Sequence, residues 1–172
     1  TQRLLLRLGR ERDLDAITDF LFRNREFLQP WEPLHPPHYC TRKFQRRLLD
    51  QDVQRAKRAE GFRFWLWRAD RVIGGITLED IRYGPFRSAS VGYRLDEHEQ
   101  GQGYMTEALS ALVTFAFEEL ELHRLEVHIM PDNHRSLNTA RRLGFREEGL
   151  AAQYLMINGE WEDHLRLALL RS

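Results

Sequence analysis

From Gly103 to Leu120 the chain places Met105, Ala108, Leu109, Leu112, Val113, Ala116, Phe117 and Leu120 at i, i+3, i+4, i+7 spacing. That pattern predicts a helix over 103–120 with one unbroken apolar stripe. Ser88–Leu95 (SASVGYRL) before it and Arg124–Ile129 (RLEVHI) after it both read as strands. A strand, a long helix and a second strand form a crossover, which sets the two strands parallel.

The rest of the chain builds outward from this crossover. Arg3–Leu8 reads as a strand, and Leu14–Phe27 as a helix with Ile17, Phe20 and Leu21 at helical spacing. Thr41 is placed to N-cap a second, mostly polar helix running to about Ala59. Then the period changes: Phe62, Phe64 and Leu66 alternate with Arg63, Trp65 and Trp67, the signature of a strand. The turn Ala69-Asp70-Arg71 leads into a strand over Val72–Leu78. Asn133–Leu143 reads as a short helix closed by Gly144, and two final strands flank Asn158-Gly159, a strong hairpin signal. The order β-α-α-β-β-β-α-β-α-β-β predicts an α/β (α+β) fold: a mixed, mostly antiparallel sheet of about seven strands with helices on both faces. At 172 residues, positions 1–172 are expected to form a single domain.

Gly101-Gln102-Gly103 lies between the strand and the long helix. A helix start leaves N–H groups unpaired and partly positive, and glycines let an anion approach them. The segment is therefore a phosphate cradle by construction. A P-loop is excluded because no Gly-Lys pair exists. A dinucleotide fingerprint is excluded because Thr106 stands where its third glycine belongs. The pyrophosphate loop [QR]-x-x-G-x-[GA] remains, and Gln100-Gly101-Gln102-Gly103-Tyr104 fits its first five places. Met105 departs at the sixth, where its side chain opens the apolar stripe.

With this loop the chain resembles the GCN5-related N-acetyltransferases (the GNAT superfamily). MPDNHRSLNTARRLGF resembles the family's second signature through Asn133, Ser136, Gly144 and Phe145. NREFLQPWEP, GYRLDEHEQGQGYMTEAL and YLMINGEWEDH resemble the RimJ/RimL-type ribosomal-protein N-terminal acetyltransferases, over nearly the whole chain. The resemblance implies that Gln100, Gly101, Gln102, Gly103, Tyr104 and Met105 hold the pyrophosphate of acetyl-CoA. It implies that Tyr93, Arg94 and Leu95 form an exposed strand edge for the pantetheine arm, and that Asn133 and Ser136 touch the cofactor from the facing helix. Arg135, Arg141 and Arg142 either meet the 3′-phosphate or form a solvated helix face.

Acetyl transfer needs a held thioester, a neutral amine, a stabilised oxyanion and a donor for the leaving thiolate. The tyrosine acid of many relatives falls at Ala140 here, so Ser136 and Tyr154 are the catalytic candidates; for Ser136 the alternative is helix capping. No base is singled out: Glu79, Asp80, Asp163 and His164 stand near the expected acceptor cleft, and a water relay would also serve. Trp31, Glu32, Glu79, Asp80 and Asp163 are the expected acceptor contacts, with Glu32 as an acid for an ammonium group. His35-Pro36-Pro37-His38 with Cys40 lacks the spacing of a zinc site, so no metal is expected.

The expected reaction moves acetyl from acetyl-CoA directly to an amine in a ternary complex, most simply the N-terminal α-amine of a ribosomal protein. A small-molecule acceptor (polyamine, amino acid or antibiotic) and an inactive CoA-binding module are the alternatives. Lys+Arg and Asp+Glu both number 26, which argues against nucleic acid as a direct partner. One cysteine, the short apolar run of TQRLLLRLGR and the lack of a membrane-length stretch point to a cytoplasmic protein without membrane contact. The subfamily resemblance implies a homodimer.

Overall fold

Strand β2 (Phe62–Arg68) shows how this sequence organises its layers. Successive strand side chains point to opposite faces. Phe62, Phe64 and Leu66 join one apolar cluster, while Trp65 and Trp67 join another on the opposite face. Both sets are covered, so β2 lies inside a sheet with helices on each side.

The computed structural model describes residues 1–171. Its strands are β1 (Leu5–Leu8), β2, β3 (Arg71–Arg82), β4 (Ser88–Leu95), β5 (Arg124–Ile129), β6 (Arg146–Ile157) and β7 (Glu160–Leu170). They form one sheet in the order β1-β2-β3-β4-β5-β7-β6. Only β4 and β5 pair in parallel, as the crossover requires. Helices α1 (Leu14–Leu28) and α2 (Arg42–Lys57) cover one face, and α3 (Tyr104–Thr114) and α4 (His134–Arg142) cover the other. The larger core lies under α3, with Ala108, Leu109 and Leu112 against Ile73, Ile76, Leu125 and Val127. The smaller one sets Ile17, Phe20 and Leu21 of α1 on Trp65 and Trp67.

Local chemistry fixes most boundaries. Thr41 Oγ1 accepts from the Phe44 N–H at 3.3 Å and starts α2. After α4, Gly144 takes φ +88°, the Gly144 N–H reaches the Arg141 carbonyl and the Phe145 N–H reaches the Ala140 carbonyl. That bond pair is a Schellman motif, and the left-handed residue at its centre favours glycine. Asn158 and Gly159 both have positive φ, as a type I′ hairpin turn needs.

Two expectations need correction. The helix predicted over 103–120 is α-helical only to Thr114; Phe115–Glu119 form a π-helical turn, with the Leu120 N–H bonded to the Phe115 carbonyl. The wider turn packs the Phe115 ring edge-on against Phe62 and Phe64, at 5.1 and 5.5 Å between centroids. The strand expected over Val72–Leu78 does not end there but runs on through Glu79 and Asp80 to Arg82. The strand bulges at Asp80 (φ +50°) and resumes pairing at Arg82↔Ser88. A bulge inserts residues without ending the ladder.

Candidate active site

The β4–β5 ladder consists of Ser88↔Arg124, Ala89↔Leu125 and Ser90↔Glu126, and there it stops. β4 continues to Leu95 and β5 to Ile129, so the β5-facing edge of Val91–Leu95 has no strand partner. The gap opens into a cavity of about 740 Å³ that reaches both faces of the sheet.

Side-chain alternation sorts what lines this gap. On the α3/α4 face stand Val91, Tyr93 and Leu95 from β4 and Val127 and Ile129 from β5, with Met105, Asn133 and Ser136 from the helices. The Gly101–Gly103 loop runs between Gln100 and Met105, which both line the gap. Gly101 and Gly103 have φ of +76° and +77°, which glycine adopts without strain. The first bond of α3 runs from the Glu107 N–H to the Gly103 carbonyl, and no amide from Gly101 to Thr106 has an acceptor among the described residues. Gln100 Nε2 donates to the Leu95 and Asp96 carbonyls, both at 3.1 Å, and ties the loop to the end of β4. Arg3 binds the Gln102 carbonyl at 2.9 Å and Glu107 at 2.6 Å and fixes the loop from outside. Met105 is buried in the core, as its place at the head of the stripe requires.

Tyr93 and Asn133 fix α4 over the gap. The Tyr93 hydroxyl donates to the Ser136 carbonyl at 2.9 Å, and burial pushes its pKa well above the usual tyrosine value. Asn133 Oδ1 accepts from the Ser136 N–H at 3.2 Å. Asn133 is therefore the cap, and the Ser136 hydroxyl has no hydrogen bond among the described residues. Free amides, an unpaired strand edge and an unengaged hydroxyl, all on one side of an open gap, fit a diphosphate with a long amide-bearing arm.

The α1/α2 face presents side chains. Gly75, Thr77, Glu79, Gly92 and Arg94 line the gap from β3 and β4, and His128 and His164 from β5 and β7. The loop after α1 brings Trp31, Glu32, His35 and Tyr39. Arg94 donates to Glu32 at 3.1 Å and to the Tyr39 hydroxyl at 3.3 Å, and His35 Nε2 lies 3.0 Å from the other Glu32 oxygen. Burial opposes both charges; Tyr39 and Glu32 nevertheless hold the Arg94 guanidinium protonated, and Arg94 and His35 bring the Glu32 pKa below the usual value. The pair links this loop to β4. Asn158 adds a second link, through its N–H to the Glu32 carbonyl and its Oδ1 to Gln29.

Tyr93, Arg94, Leu95, Gln100, Met105, Asn133, Ser136, Trp31, Glu32 and Glu79 all line the cavity. Gly101, Gln102, Gly103 and Tyr104 do not line it, although Gln100 before them and Met105 after them do; Tyr104 is packed in the core and covered by Arg3. Glu79 lies 3.8 Å from Arg63 and 4.0 Å from Arg55, while Asp80 is off the cavity wall. Asp163 accepts from the Gln153 N–H at 2.7 Å. It thereby braces an irregularity in which Ala152–Tyr154 stand between the pairs Ala151↔His164 and Leu155↔Glu162. Tyr154 is brought onto His128 and His164, at 4.8 and 5.8 Å between ring centroids. His128 was missed by the sequence reading. Its signal was available: in RLEVHI, Glu126 and His128 alternate with buried Leu125, Val127 and Ile129.

The acetyltransferase (GNAT) domain family matches residues 3–146. The chain is 35% identical over 171 residues to the [ribosomal protein uS5]-alanine N-acetyltransferase of Escherichia coli (strain K12), covering 98% of this chain and 88% of that one. The ribosomal-protein-S5-alanine acetyltransferase of Vibrio fischeri superposes with a TM-score of 0.95 at 32% identity, over 99% of this chain and 94% of that one. Mycobacterium smegmatis RimJ, solved with CoA-disulfide, gives 0.93 at 29% identity, over 97% and 81%.

Proposed function

The chain belongs to the acetyltransferase (GNAT) domain family and is an acetyl-CoA-dependent N-acetyltransferase, and from that premise we propose that its acceptor is the N-terminal α-amine of a ribosomal protein. The observation that carries the choice of acceptor is the likeness, over 98% of the chain, to an enzyme named for acetylating an alanine of uS5. A ribosomal acceptor would place the protein in the cytoplasm. Among the described residues no helix is long and apolar enough to cross a membrane. We read positions 1–172 as one N-acetyltransferase domain, since β6 and β7, most of which lie beyond the family match, extend the same sheet.

In this reading acetyl-CoA lies on the α3/α4 side and supplies an acetyl thioester at the gap. The amides of Gly101–Thr106 hold its diphosphate, with Gln100 fixing the loop and Tyr104 and Met105 anchoring it in the core. The unpaired edge at Tyr93, Arg94 and Leu95 pairs with the pantetheine arm, and Asn133 aligns α4 over it. The Ser136 hydroxyl, free of other bonds, donates toward sulfur. The acceptor enters over the α1/α2 face, between Trp31 and the rings of His128, Tyr154 and His164. Glu32 serves there as the anchor that orders the loop through Arg94. Glu79 and the Asp163-braced bulge shape the far wall, and Asp80 sets the β3 bulge beside it.

Direct transfer suits the site. Cys40 is off the cavity wall, and burial pushes its thiol pKa up, away from the nucleophilic thiolate. Incubation of ribosomal proteins with acetyl-CoA and the purified chain, followed by mass spectrometry, tests the acceptor. An acetyl group on one N-terminal peptide is the expected result. Acetylation of a polyamine, amino acid or antibiotic with no modified N-terminus would replace it with the small-molecule reading.

A further inference from the structure

We propose that His164 is the base that takes the proton from the acceptor amine, held in place by Glu162, His128 and Tyr154. The proposal rests on the amine acetylation read above but not on which amine is acetylated.

An α-ammonium group has a pKa of roughly 7.7–8.0 and must lose a proton before its nitrogen can attack. The carboxylates near the acceptor face are engaged or elsewhere. Glu32 is shared by Arg94 and His35, and Glu79 faces two arginines. Asp163 is bonded to Gln153, and Asp80 lies off the cavity wall. Asp132 lines the cavity but belongs to the turn before α4, on the cofactor side.

His164 differs from all of these. It is only 3% exposed, yet it lines the cavity on the acceptor face. Its Nδ1 lies 3.0 Å from the Glu162 carbonyl oxygen. That oxygen can only accept, so the ring proton sits on Nδ1 and the lone pair of the neutral imidazole is on Nε2. Nε2 has no hydrogen-bond partner among the described residues, and the residue that carries it is part of the cavity wall. The last β5–β7 pair is Ile129↔Leu165, so the ring stands just beyond the end of β5, where the gap is open. His128 is less suited: burial lowers its pKa, and its Nε2 points to Glu126, 3.9 Å away.

In the step, Nε2 accepts one N–H proton of the ammonium group, directly or through one water. The freed pair forms the C–N bond to the thioester carbonyl carbon, and the C–S pair leaves on sulfur. The amine's second proton passes to sulfur through Ser136 or water, and the imidazolium returns its proton to solvent. Tyr154 of β6 packs on both His128 and His164, the Glu162 carbonyl of β7 meets His164, and the charged and titratable groups that act on the neighbouring His128 are Glu126 of β5, Arg166 and His164 of β7 and Asp80 of β3.

His164→Asn separates the roles, because the amide N–H₂ can still donate to the Glu162 carbonyl while Nε2 is gone. Thiol release is followed against pH with the amine the wild type acetylates, and coenzyme A binding is followed by calorimetry. The expected result is a loss of about 100-fold in kcat/KM, an acid limb of the pH profile that moves up to follow only the ionisation of the acceptor amine, unchanged coenzyme A affinity and partial rescue by added imidazole. An unchanged acid limb overturns the proposal, as does its movement in His128→Asn but not in His164→Asn. Should the Asn variant lose coenzyme A binding, nitrogen NMR of the wild-type ring decides: an Nδ1–H tautomer supports the proposal and an Nε2–H tautomer overturns it. A wild type that acetylates no amine fails the function itself, a result distinct from all of these.

Discussion

The two sides of the β4–β5 gap are built from different materials. On the α3/α4 side the groups on offer, the Ser136 hydroxyl apart, are backbone: the amides of Gly101–Thr106 and the unpaired edge of Val91–Leu95. They are aimed by features a few residues long, two positive-φ glycines, one asparagine cap and one glutamine tie. On the α1/α2 side the groups are side chains from β3, β4, β5, β7 and the loop after α1, joined by contacts such as Arg94–Glu32, whose partners are 62 positions apart. A ligand shared by a whole family can be held by backbone that tolerates sequence change. An acceptor that differs between relatives has to be met by side chains.

This contrast predicts how each side breaks. The largest effect is expected from Arg94→Met, which leaves the half-buried Glu32 beside an apolar chain with only His35 as a side-chain partner. Stability should fall by about 2 kcal/mol in urea unfolding, with coenzyme A affinity changed far less. The sign with pH follows from the lowered pKa of Glu32. Its stabilisation is present above the unfolded carboxylate value and is lost as pH falls through the lower folded value. The gap between wild type and variant should therefore narrow in acid. A gap that widens in acid would mean that Glu32 is not the partner that matters.

Gly103→Ala should do the opposite. A left-handed alanine costs about 1–2 kcal/mol, and a loop that relaxes to avoid the strain turns its amides away. Coenzyme A affinity should drop by about tenfold, with the acceptor KM unchanged, as measured by calorimetry and steady-state kinetics. A shift in acceptor KM alone would erase the distinction between the two sides. The smallest effect is expected from Asn133→Ala, which removes the α4 cap for about 1 kcal/mol. That should lower the melting temperature by about 2–4 °C, with a modest loss of coenzyme A affinity because Ser136 shifts with the helix.

Legibility in the sequence followed the same division. The strand pattern, the crossover, the Asn158-Gly159 turn and the glycine loop were readable because each depends on residues close together in the chain. The long helix was readable as a stripe, but its change of pitch at Phe115 was not, since that answers to Phe62 and Phe64 on a distant strand. Glu32 read as an acid for an ammonium group, and its partners in the fold, Arg94 and His35, could not be assigned from spacing. Asp163 read as an acceptor contact, whereas its carboxylate is bonded to a backbone N–H of the neighbouring strand.

The sequence by itself determined the order of elements, the parallel pair and the anion-ready helix start, because period, turn chemistry and glycine act over one to four residues. Only the tertiary structure decided where the β4–β5 ladder stops, which charges neutralise one another and which ring keeps a free lone pair in the gap. Those outcomes depend on groups that folding brings together from opposite ends of the chain, where burial strengthens each charge interaction and leaves no water to mask an unpaired group.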